Sequence, residues 1–254
     1  MPFNKNLIFR KTHRYLGLFI GMQFLGWTIS GIYFSWNDID NVHGDHMRRS
    51  PRALSANVTL VSPQVPIQKL KRTTPVDSIY SVQLISIVGK PLYQIQYFSG
   101  RTQGVQAHVQ YKLADATSGE LREPLSQDEA ISIAKDNVVT SAKVTDVKLV
   151  ANTDGYHEYR QGPLPAYAIS FEDPDCTAYI SAERGTFETI RHDQWRGFDF
   201  LWMFHTMDFQ SRDNINNWLL RILSVFGLFT VLSGFVLYFV SSRTLKRLWG
   251  STIR

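Results

Sequence analysis

Trp202-Met203-Phe204-His205-Thr206-Met207-Asp208-Phe209, a polar link, and then the apolar run Trp218–Val240 decide the fold of this chain. The run carries one charge, Arg221, close to its start. About 20 apolar residues cross the hydrocarbon core of a membrane as a helix. The run therefore reads as a membrane span, entered through an aromatic segment that holds one histidine. The second long apolar run, Tyr15–Ser35, lies at the far end of the sequence. Residues 36–217 must then share one side of the membrane, giving a two-span helical hairpin with a globular head.

Charge placement sets the orientation. Residues 1–14 carry Lys5, Arg10, Lys11 and Arg14, residues 241–254 carry Arg243, Lys246, Arg247 and Arg254, and neither tail holds an acid. Removing those eight and Arg221 from the 27 basic residues leaves 18 against 22 acids, a net of −4 between the tails. The overall charge of +5 thus belongs to the tails and marks no nucleic-acid surface. Basic flanks stay cytoplasmic, so both termini are expected inside and the head outside. A basic start followed by an apolar run also describes a signal peptide. Here the run is long, and Trp36-Asn37-Asp38 follow it instead of a small-x-small cleavage site, so an uncleaved anchor is expected. One cysteine, Cys176, leaves the head without an internal disulfide, and its core alone must hold it. At about 180 residues it is large enough for that.

Within the spans, Gly17/Gly21, Gly26/Ser30 and Thr230/Gly234 are small-xxx-small pairs. Such pairs let helices approach closely, within the hairpin, against a second copy, or around a flat cofactor. Tyr15, Tyr33, Trp36, Trp218 and Tyr238 sit where an aromatic belt would mark the interfaces. Arg221 is placed to snorkel, or to pair with Asp213 or with a cofactor carboxylate such as a propionate. Beyond the first span, His43 and His46 with Asp38, Asp40 and Asp45 form a weak candidate site for a divalent metal. Pro51, Pro63 and Pro66 mark residues 49–66 as linker.

The head repeats itself. Leu92–Tyr97 matches Ala166–Phe171, and both alternate apolar with polar residues as half-buried strands do. Leu113–Leu121 matches Tyr179–Phe187, each a strand end and a turn whose glycine is expected at positive φ. Ser126 and Glu129 form a capping box opening a helix whose apolar face is Ala130, Ile131, Ala134 and Val138. Its counterpart around Ile67–Lys71 looks short and proline-flanked, so the first copy is degenerate. Further strands are expected at Tyr80–Val88, Val105–Leu113 and Val144–Val150. The head thus reads as α+β, two helix-plus-antiparallel-sheet modules in series.

A helix, strands and a closing Asp115-Ala116-x-x-Gly119-Glu120 resemble the PepSY module of bacterial envelope proteins. Arg10-Lys11-Thr12-His13-Arg14-Tyr15-Leu16-Gly17-Leu18, the segment Trp202–Phe209, and Leu232–Phe239 resemble the PepSY-associated transmembrane family across nearly the whole chain. The resemblance implies a bacterial inner-membrane protein with cytoplasmic termini and periplasmic residues 36–217. Its divisions are tail 1–14, span 15–35, linker 36–63, degenerate PepSY-like module 64–121, PepSY module 122–194, juxtamembrane segment 195–217, span 218–240 and tail 241–254. Larger relatives with four or more spans resemble haem proteins that reduce ferric siderophores in iron uptake; this chain has two spans.

The motif histidines are His13 and His205, expected near opposite faces of the membrane and so separated by about the 30 Å hydrocarbon thickness. One iron needs its nitrogens at about 2 Å, so the two cannot share a haem. A symmetric dimer would pair His13 with His13 and His205 with His205, placing two haem b groups in a four-helix bundle. Without haem, His13 belongs to the basic anchor and His205 orients the juxtamembrane helix. His108, His157 and His192 are expected at the surface, on strand faces or in loops. No hydrolase or transferase constellation appears; an enzymatic role would be that of a haem-dependent oxidoreductase component. Three functions follow. The one favoured by the sequence is an accessory module presenting its head to an envelope partner. The alternatives are a haem-based transmembrane electron carrier or ferric-siderophore reductase component, and a small subunit of a larger membrane redox complex.

Overall fold

The structure is a computed structural model that describes residues 5–50, 52–99, 108–139 and 143–242. Its elements run α1 (Lys5–Trp36), α2 (Ile39–His43), a 3-10 turn (Asp45–Met47), α3 (Gln64–Thr73), β1 (Ser78–Ile87), β2 (Lys90–Ser99), β3 (His108–Asp115) and β4 (Leu121–Arg122). There follow α4 (Gln127–Asn137), β5 (Val144–Val150), β6 (Ala166–Phe171), β7 (Cys176–Ser181), β8 (Phe187–His192), α5 (Asp193–Thr206) and α6 (Trp218–Ser241). The chain divides into two units, residues 1–38 with 197–254, and residues 39–196.

The first unit is the hairpin. Arg10–Trp36 and Trp218–Phe239 are long and apolar enough to cross a membrane. Leu18, Phe19, Met22, Leu25 and Ile29 on α1, and Val225, Leu228, Phe229, Phe235 and Val236 on α6, all face outward. A core helix of a soluble protein would bury such side chains; these suit a lipid surround. Tyr15, Trp36, Trp218 and Tyr238 are likewise exposed near the helix ends. Between the helices lie Ile20, Leu223 and Met207 with Leu16, Phe24, Trp27, Leu219 and Leu220. The glycines that permit this approach are on α6. A methyl at Gly227 would stand 3.0 Å from the Phe24 ring, and one at Gly234 3.4 Å from His13 Cε1. Gly17, Gly21 and Gly26 of α1 have open space instead. The four basic residues of the C-terminal tail lie outside the described residues.

The second unit is the head. It holds two four-stranded antiparallel sheets, ordered β1-β2-β3-β4 and β5-β6-β7-β8. The repeat extends to individual hydrogen bonds. Ala116 N–H donates to the Pro91 carbonyl at 3.1 Å, and Ala182 N–H to the Pro165 carbonyl at 3.0 Å. Gly119 N–H donates to Asp115 O and Gly185 N–H to Ser181 O, with φ of 72° and 69° at the two glycines. One core joins Ile87, Leu92 and Leu113 of the first sheet to α4 and to Ile169, Phe171, Ala178 and Ile190 of the second. α3 covers the other face of the first sheet through Leu70, Tyr93, Ile95 and Tyr97.

Several expectations need correction. The capping box of α4 is present, with Ser126 and Glu129 each accepting from the other's backbone. Of its expected face, Ala130, Ala134 and Val138 are buried and Ile131 packs partly covered against the same core, while Ile133 is buried beside them. α3 spans Gln64–Thr73, longer than Ile67–Lys71, because Pro66 falls in its first turn, where a missing N–H costs nothing. β3 begins at His108, and residues 105–107 of the expected strand lie outside the described residues. His192 is buried, not at the surface. It closes β8 opposite Cys176, and its Nε2 meets the Val42 carbonyl of α2 at 3.1 Å.

Candidate functional site

Two histidines of the hairpin are held in the same way. His205, in the last turn of α5, places Nδ1 2.8 Å from the Ser30 hydroxyl of α1. His13, in the first half of α1, places Nδ1 2.7 Å from the Ser233 hydroxyl of α6. Each serine has a carbonyl in reach for its one hydrogen. Ser30 donates to Gly26 O at 3.0 Å or Trp27 O at 3.1 Å, and Ser233 to Thr230 O at 2.8 Å. A serine hydroxyl that gives its hydrogen to its carbonyl accepts from Nδ1–H, whereas one that turns toward the ring donates to a bare Nδ1. The first arrangement leaves the lone pair on Nε2. An imidazole oriented through Nδ1–H with Nε2 bare is the form that ligates a metal.

The surroundings of the two rings differ. His205 lies among aromatic rings, with centroids of Phe34 at 5.5 Å, Trp27 at 6.3 Å and Trp202 at 6.5 Å. Burial lowers its affinity for a proton, which keeps the ring neutral. Trp27 Nε1–H donates to the His205 carbonyl at 2.9 Å, satisfying an orphan acceptor at the end of α5. His13 has the small Gly234 beside it. On α1, positions 13 and 30 are about 25 Å apart at the helical rise. The two imidazoles therefore stand at separate levels of one hairpin, one per level, and do not come together.

The link between α5 and α6 fixes the His205 level. Asp208 accepts from the backbone N–H groups of Gln210, Ser211 and Asn214, and from the Ser211 hydroxyl. Burial alone would raise its pKa, but these donors outweigh it and hold the carboxyl down to about 2. Asn217 caps α6 by accepting from Leu220 N–H and donates to the Thr206 carbonyl. Arg212 pairs with buried Asp199 of α5. Arg221 is exposed near the start of α6.

No family model, curated protein or solved structure matches this chain.

The other candidate residues lie in the head. His43 ends α2 and His46 lies in the 3-10 turn, where its ring meets His192 edge-on at 5.8 Å. Among the described residues, no three His, Cys, Asp or Glu side chains gather to hold a metal ion. Cys176 is fully buried in β7, and burial pushes its thiol up to about 11, which leaves it unreactive. Ser30 and Ser233 are the residues that sequence reasoning missed as partners. Ser30 read there only as a small residue beside Gly26. A hydroxyl amid an apolar helix was the available signal, since polar groups in a span are costly without a partner.

Proposed function

We propose that this chain is a bacterial inner-membrane protein of the PepSY-associated transmembrane type, whose hairpin binds haem b as a symmetric dimer and conducts electrons. The observation that carries this reading is the pair of imidazoles each anchored to a serine through Nδ1. It favours the redox reading over the purely accessory one, because both rings are oriented by Nδ1 and neither spends its Nε2 on holding the hairpin together. His13 would hold one haem and His205 the other, with Arg221 as the candidate partner of a propionate. Bound there, haem supplies reversible one-electron chemistry.

One chain offers one imidazole at each level, so the opposite nitrogen must come from elsewhere. A second copy supplies it by symmetry, and the open glycines Gly17 and Gly21 give α1 a face for close approach. A larger complex would supply it from another subunit. The resemblance to ferric-siderophore reductases supports iron acquisition as the process served. In the same reading the head is periplasmic, the tails are cytoplasmic, and the head acts as an interaction module.

Haem content and mass of the detergent-solubilised protein test the proposal. A dimer carrying haem is expected, with His13→Ala and His205→Ala each retaining roughly half the pigment because the levels are independent. A pigmented protein whose haem stays with a co-purifying subunit would place the missing nitrogens in a larger complex. A colourless protein leaves the accessory module.

A further inference from the structure

A groove of about 460 Å3 in the head is walled by three consecutive residues of β1, Leu84, Ile85 and Ser86, and by Gly185, Thr186 and Phe187 at the entry to β8. Neighbours on a strand point to opposite faces, so three in a row line a cavity only where the strand is met edge-on. Among the described residues β1 pairs with β2 alone and β8 with β7 alone, so both are edge strands. An edge strand turns a row of unpaired N–H and C=O groups outward, a template for a further strand.

The groove is amphipathic. Three charged side chains line it, Arg48, Arg52 and Asp136. Arg52 pairs with Asp136 at 2.6 Å. Arg48 lies over the Phe187 ring at 4.9 Å, and the Asp45 carboxylate stands 3.9 Å away, beyond hydrogen-bond range. The Arg48 donors are thus open to a carboxylate, which a guanidinium fork matches in shape. Leu54, Leu84 and Val88 give the apolar wall, with Leu84 and Val88 exposed. Val88 is the telling residue. It occupies the β1–β2 turn at φ 50° before Gly89, a left-handed position where asparagine is preferred and a β-branched side chain is strained. Val88 thus keeps an exposed apolar side chain on the rim of the groove at the cost of backbone strain.

We propose that this groove receives an extended acidic peptide, added as a strand along the open edge of β1. Its carboxylate pairs with Arg48 and an apolar side chain rests on Leu84 and Val88. Strand addition uses both the backbone edge and the alternating side-chain pockets. A phospholipid headgroup would use the guanidiniums and leave the strand edges idle. The inference goes beyond haem binding and is independent of it.

The test uses full-length protein in detergent and a fluorescein-labelled eight-residue peptide alternating valine and glutamate, followed by anisotropy. Saturable binding is expected. Lysine in place of glutamate, or N-methylation of the amides along one edge of the peptide, should each weaken binding about tenfold or more. Arg48→Ala should do the same. Val88→Asn should weaken binding while raising the thermal stability of the head, a combination that general damage to the fold would not produce. The proposal is overturned if the peptide does not bind, or if N-methylation and Arg48→Ala leave its affinity unchanged. Arg48-dependent binding of phosphatidylglycerol vesicles without peptide binding would make it a lipid site and overturn it equally.

Discussion

His205 Nδ1 stands 2.8 Å from the Ser30 hydroxyl, joining α5 to α1 across 175 positions of sequence. The bond fixes the ring's rotation, and the His13–Ser233 bond at 2.7 Å does the same between α1 and α6. Two unrelated parts of the hairpin thus reach one arrangement, an imidazole steered through Nδ1 with Nε2 left over.

Removing either serine hydroxyl should free the ring without emptying the site. Ser30→Ala and Ser233→Ala are each expected to cost about 1 kcal/mol of hairpin stability, the usual worth of such a bond. In pigmented protein each should also alter the Soret or EPR signal of its own level. Spectra unchanged in both variants would separate the serines from any ligand role.

The two hairpin glycines of the head separate backbone strain from packing. Gly89 has φ 79° with open space around it, and Gly185 has φ 69° with Ile87 Cδ1 at 2.5 Å from an added methyl. Gly89→Ala should cost about 1–2 kcal/mol from the left-handed backbone alone. Gly185→Ala adds overpacking of about 1–3 kcal/mol in the shared core. Urea unfolding of the head should rank Gly185→Ala as clearly the less stable.

Acid should weaken the head through His192. Burial first, and then the nearby His46 and Arg196, hold its pKa below the usual value, against the Val42 and Asn41 carbonyls that raise it. The folded state therefore resists protonation more than the unfolded chain, whose histidine titrates near 6.5. Stability from this group is full above about pH 6.5 and falls away below it, toward the lowered folded value. His192→Gln should flatten that slope between pH 7 and 5. An unchanged slope in thermal melts would assign it to another group.

The proposed topology rests on the basic residues of the two tails. A reporter active only outside the cytoplasm should be silent when fused after Arg254 and active when inserted near Ser55. The reverse pattern would invert every assignment of side made above.

Much of this architecture is local and so was readable in the chain. β6 coincides with an expected strand because period-two alternation marks a half-buried strand wherever it falls, whereas β5 covers every third residue and coincides through its valines. The glycines at 119 and 185 announced their turns because few other residues take that φ. What escaped depended on distant partners. His192 looks like a surface residue until α2 arrives over it, 150 positions away in sequence. Ile133 is buried more deeply than Ile131 on α4 because the sheets, not the helix's own pattern, decide which side is covered. β4, two residues long, has no periodicity to detect. The serines of the site were visible as residues, but their histidines lie 175 and 220 positions off.

Haem held by the Nε2 atoms of His13 and His205 would be visible in an absorbance spectrum of the full-length protein purified in detergent from haem-replete cells. A Soret band and a reduced-minus-oxidised difference of b type are expected, both lost in the His13→Ala/His205→Ala double variant. A colourless wild-type protein, alone and with whatever co-purifies, would rule haem binding out.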